Sequence, residues 1–153
     1  MPSFPLRSSR VVPALYRPLP VAPRLALPLF GCPVRAGFPS PATDYVSDHL
    51  DLNEHLIAHK EATFYVRARG QSMIGAGIQD GDLLIVDRSL TPTHRCVVIA
   101  VVDGEFTCKR LYRRAGRIRL IAENPEFPAI DFNDGQELQI WGVVTNVIHR
   151  MSP

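Results

Sequence analysis

Cysteine is scarce: Cys32, Cys96 and Cys108 are the only three in 153 residues, widely spaced and with no C-x-x-C pair. An odd, scattered set argues against a disulfide framework or a structural zinc site and fits a reducing, cytoplasmic setting. No run of 18 apolar residues occurs, so no membrane-spanning segment is expected. Net charge is only +2, too little to bind polyanions through overall charge alone. Acidic residues are missing altogether from residues 1–41. What remains is an ordinary globular composition, 46% apolar and 21% charged, in a length that buries one core without metals or staples.

These averages conceal two unlike parts. Ten of the 14 prolines and five arginines (Arg7, Arg10, Arg17, Arg24, Arg35) fall in residues 1–41, giving that stretch a charge of +5. Residues 42–153 hold the other 12 basic and 15 acidic residues, a charge of −3. Proline has no amide donor and disfavours helix in the residue before it. The first part therefore reads as an extended arm (1–41) and the second as a folded domain (42–153). An N-terminal helix-turn-helix is excluded, and the prolines also break the amphipathic helix that an organelle-targeting peptide needs. The arm reads as a solvated tail, although its positive charge leaves contact with nucleic acid open. Leu25, Leu27, Leu29, Phe30, Val34 and Phe38 would let it dock on this domain or a partner's.

Within the domain, residues 51–59 predict one short helix, capped by Asp51 or Asn53. The pattern then turns to strands over residues 63–69, 82–87, 96–102, 105–112, 117–122 and 138–148. Asp103-Gly104 is a strong two-residue hairpin signal. The fold class is accordingly mostly β, with antiparallel sheets and a single short helix. Residues 138–148, long and apolar and containing Trp141, suggest either a dimer edge or core packing.

The densest chemical signal is Gly70-Gln71-Ser72-Met73, with Gly77 to Asp87 behind it. A serine in a glycine-rich turn is most often just a turn residue or a cap. A two-residue turn at Asp103-Gly104 changes its meaning by fixing a register. Val102 then faces Glu105, Ala100 faces Thr107 and Val98 faces Lys109. Lys109 thus has Val98, Thr107, Leu111 and Ala100 for company, while Arg110 points to the other face, toward solvent. An amine among apolar groups loses hydration of its charged form, so its pKa falls and it can serve as a general base. The alternative is a lysine that snorkels to solvent from a sheet edge. Cys96 and Cys108 fall on opposite faces, so no disulfide joins them.

Four blocks together resemble the UmuD branch of the LexA/UmuD family of self-cleaving Ser-Lys (S24-type) peptidases. They are Leu27-Pro28-Leu29-Phe30, then Ala36 to Ala42 with Asp44-Tyr45, then the Ser72 block, then Asp103 to Thr107 with Lys109. The resemblance runs from about Leu27 to the C-terminus. It implies a LexA/UmuD-type C-terminal domain of twisted, partly barrel-like antiparallel sheets. It places Ser72 on the family's nucleophile, Lys109 on its base and Ala36-Gly37 on its scissile bond.

The resemblance further implies a protein of SOS mutagenesis. Stimulated by a RecA filament on single-stranded DNA, such a chain cuts itself, and the product forms a homodimer. That dimer serves a UmuC-type translesion DNA polymerase. No cofactor, no metal, no membrane and no direct sequence-specific DNA contact are expected. Arg95 stands where the family usually carries glycine, which implies strain in a turn that needs positive φ. Two other classes compete: a non-enzymatic dimeric regulator or repressor of the SOS response, and a signal-peptidase-like processing enzyme. The latter requires a membrane anchor.

Overall fold

In the computed structural model of the chain, residues 15–16, 23–31, 33–38, 45–132 and 137–152 are described. Two short strands come from the proline-rich part, β1 (Leu15–Tyr16) and β2 (Ala26–Phe30). Then follow β3 (Val46–Asp51), helix α1 (Leu52–Leu56), and β4 (Thr63–Arg67) behind a 3-10 turn at Lys60–Ala62. The β-branched and aromatic runs make β5 (Leu83–Asp87), β6 (Val97–Val102), β7 (Glu105–Arg114) and β8 (Arg117–Ile121). The set ends with β9 (Ile130–Phe132) and β10 (Gln139–Ile148). Among the described residues no helix is long and apolar enough to cross a membrane.

The helix is shorter than the predicted 51–59, covering only Leu52–Leu56. Asp51 caps it, its Oδ1 accepting from the Asn53 and Glu54 amides at 2.8 and 3.3 Å.

Eight strands form one antiparallel sheet in the order β1-β4-β5-β10-β6-β7-β8-β9, and β2 pairs with β3 in a second sheet. Neither proline-rich strand is central, in keeping with a segment short of amide donors. The β2–β3 pair leaves Leu27, Leu29, Phe30 and Val46 exposed.

Of the two readings of the long C-terminal strand, its place inside the sheet, between β5 and β6, favours packing within the domain. Its register shifts between Ile140 and Gly142 and again between Val144 and Asn146. These irregularities let one strand pair first with β6 and then with β5. Trp141 packs on Phe64 and Phe106, at ring-centroid distances of 5.4 and 5.7 Å, with the Arg88 guanidinium 4.7 Å from its ring centre.

Two apolar clusters fill the sheet's faces. Val66, Ala68, Met73, Ile78, Leu84, Val86 and Ile99 make one. Val98, Ala100, Leu111, Leu120 and Val143 make the other. Cys108 packs against the first and Cys96 against the second, so the two thiols do lie on opposite faces.

Candidate active site

The hairpin between β6 and β7 sets the position of Lys109. Asp103 and Gly104 adopt φ of +51° and +79°, as a primed two-residue turn requires. The register that follows pairs Val102 with Glu105, Ala100 with Thr107 and Val98 with Lys109. Lys109 is left 9% exposed. Burial holds its amine below the ordinary lysine value of 10.5, and the neighbouring Cys108, which pulls the other way, does not offset this. Burial likewise pushes the Cys108 thiol up to about 11.

A loop behind β4 sets the position of Ser72. Gly70 takes φ +85° and donates its amide to Asp80 Oδ1 at 2.7 Å. Met73, 3% exposed, anchors the turn in the first apolar cluster. Its carbonyl accepts from the Ala76 and Ile78 amides at 3.0 and 3.2 Å, and the chain leaves through Gly77 at φ +79°. Ser72 itself is half-buried.

The two side chains meet. Lys109 Nζ lies 3.1 Å from Ser72 Oγ, 2.9 Å from Thr107 Oγ1 and 3.0 Å from the Cys108 carbonyl oxygen. A neutral amine has two N–H bonds and one lone pair. Thr107 and the Cys108 carbonyl can take the two N–H bonds, which leaves the lone pair facing the Ser72 hydroxyl. A charged amine would instead donate to all three oxygens.

The sequence-predicted cleavage segment is elsewhere. Ala36 and Gly37 fall in exposed bends between β2 and β3. Val34 is 94% and Phe38 80% exposed, values that a segment docked in a cleft would not show.

The family model described as Peptidase S24-like matches residues 28–145. The chain belongs to the S24 peptidase family. It is 50% identical over 124 residues to Protein ImpA of Escherichia coli, spanning 80% of this chain and 83% of that one. It is 43% identical over 122 residues to Protein MucA of Escherichia coli, spanning 79% and 83%. LexA repressor 2 of Geobacter sulfurreducens is 41% identical over 130 residues, spanning 84% of this chain and 63% of its own. The chain is thus a UmuD-like S24 protein of SOS mutagenesis, and its class of chemistry is serine-peptidase self-cleavage.

The S24 match takes in both the Ser72–Lys109 contact and the exposed Ala36-Gly37 bond. It also spans the turn that holds Arg95. Arg95 sits there at φ +74°. The Cys96 amide closes this turn on the Thr93 carbonyl at 3.3 Å, while the Cys96 thiol donates to the same carbonyl at 2.8 Å.

Arg110 differs from its expected place in solvent. It is half-buried, pairs with Glu123, and donates through Nη1 to the Arg95 carbonyl at 2.6 Å. Residues 123–124 reach the Ser72 loop, a role that no motif in the sequence marks. The only local hint was Asn124-Pro125, which marks a turn after a strand.

Proposed function

We propose that Ser72 and Lys109 form the dyad that cuts the chain's own Ala36–Gly37 bond. The approach of Lys109 Nζ to Ser72 Oγ, with two oxygens ready for the amine's N–H bonds, carries the reading. Neutral Lys109 takes the Ser72 proton as Oγ bonds to the Ala36 carbonyl carbon. The C–N bond to Gly37 then breaks, and the proton passes from Lys109 to the departing Gly37 amine. Main-chain amides at the Ser72 turn hold the oxyanion. Water then attacks the acyl carbon as Lys109 takes its proton, the Ser72 Oγ–C bond breaks with that proton returned to Oγ, and Ala36 leaves as the new C-terminal carboxyl group. The products are residues 1–36 and residues 37–153, the latter 117 residues long.

The exposed position of Ala36–Gly37 means that the segment between β2 and β3 must move into the Ser72 turn before reaction. An effector that favours the docked arrangement would accelerate cleavage by shifting that population. A RecA filament on single-stranded DNA fills this role in the proposal. The cleaved chain then acts in the cytoplasm as a homodimeric accessory subunit of a UmuC-type translesion DNA polymerase. Ser72→Ala and Lys109→Ala should each abolish cleavage in a folded chain. Cleavage that persists in either would remove that residue from the mechanism.

A further inference from the structure

Asn124 is a buried polar residue, 7% exposed, for which the reaction just described has no use. It follows β8 and reaches across to the nucleophile's loop. Its Nδ2 donates to the Gln71 carbonyl oxygen at 2.9 Å, and its Oδ1 accepts from the Glu126 amide at 3.1 Å. The partners fix which end of the side-chain amide is which: a carbonyl can only accept, so the nitrogen must face Gln71. Its main-chain carbonyl also accepts, from the Phe127 amide at 3.1 Å.

Gln71 immediately precedes Ser72. A trans peptide is planar, so the Gln71 carbonyl and the Ser72 amide N–H point in opposite directions. Gripping the carbonyl therefore fixes where the Ser72 amide points and where its Cα begins. A second clamp lies just beyond. The Gly75 amide donates to the Glu123 carbonyl at 2.8 Å, and a Cβ on Gly75 would stand 2.6 Å from that oxygen. Consecutive residues thus hold the loop on both sides of Ser72, and Met73 pins its middle in the core.

We propose that Asn124 is a positioning residue for the nucleophile, which holds the Gln71–Ser72 peptide so that Ser72 Oγ meets Lys109 Nζ. The inference rests on the dyad reading above. Misplacing a reacting group by about 1 Å can lower a rate about a hundredfold. Asn124→Ala in the full chain should therefore cleave itself ten- to a hundredfold more slowly at the alkaline plateau. The pH midpoint, set by Lys109, should stay where it is in the unaltered chain. A residue that merely packs would leave the plateau unchanged wherever the variant is folded.

A native plateau in folded Asn124→Ala would overturn the role. So would a lowered plateau with a displaced midpoint, which would put the effect on Lys109 instead. Should the alanine variant fail to fold, Asn124→Ser carries the same test, since it too removes the amide donor facing Gln71. Ser72→Ala run alongside separates the two ideas. Cleavage in Ser72→Ala refutes the dyad itself, whereas a silent Ser72→Ala beside an unaffected Asn124 variant refutes only the positioning.

Discussion

Replacing Arg95 by glycine should make the protein more stable. Arg95 holds φ +74° in an exposed turn. An L-residue in that region costs about 1–2 kcal/mol relative to one free of a Cβ clash. Glycine removes the clash but adds freedom to the unfolded chain, a loss of about 0.4–1 kcal/mol. The difference favours Arg95→Gly by about 0.5–1 kcal/mol. The turn's main-chain bonds survive the change: the Arg95 amide still donates to the Leu111 carbonyl (2.7 Å), and its carbonyl still accepts from Arg110. The matching rise in melting temperature is about 2–5 °C for a domain of this size. Urea and thermal unfolding in a Ser72→Ala background, where the chain stays whole, would measure it. A glycine variant no more stable than its parent would show that the turn stores no strain. Arg95→Val, β-branched at the same φ, should shift stability the other way.

Three further outcomes follow from the geometry. Thr107→Val removes an acceptor 2.9 Å from Lys109 Nζ, so self-cleavage should slow by roughly tenfold, the effect of about one hydrogen bond to a reacting group, measured as loss of intact chain. Gly75→Ala places a methyl 2.6 Å from a backbone carbonyl and should destabilise the fold by about 1–3 kcal/mol in urea titration. Asp82 and Asp87 are both buried, which raises a carboxyl's pKa, yet the Gln79 amide and His149 at Asp82, and Ser89 and His59 at Asp87, hold both below 3.8. Carboxyls with depressed folded pKa values give stability that is full above the unfolded value and fades as pH falls through the folded one. Asp82→Asn and Asp87→Asn should therefore lose stability at neutral pH and show a weaker acid dependence below about pH 4.

Much of the site could be read from local sequence because a two-residue turn dictates register. Once Asp103-Gly104 is a primed hairpin, Lys109 must pair with Val98, and the period of two puts it on the apolar face. The short helix was legible through Asp51, whose carboxylate has a clear capping role. Long-range arrangement was not. The interior place of β10 depends on strand order, which no local pattern encodes. The pairing of β2 with β3 was hidden by prolines and by polar residues such as Asp48 and His49 in an exposed strand. The second hairpin turn uses Ala115 at φ +50° before Gly116, and alanine gives no signal for that conformation. Asn124 grips Gln71 from 53 residues away, a contact visible only when β8 and the Ser72 loop are brought together.

Mass spectrometry of the full chain during incubation across a pH series tests the dyad most directly. A species of 117 residues beginning at Gly37 should accumulate. Its rate should climb through a midpoint below 10.5 as Lys109 loses its proton, because burial depresses the amine, and level off above that midpoint. Ser72→Ala should stay intact, and so should Lys109→Arg, whose guanidinium keeps its proton at every pH tested. A Gly37 fragment from Lys109→Arg, or a rate indifferent to pH, would show that Lys109 is not the base.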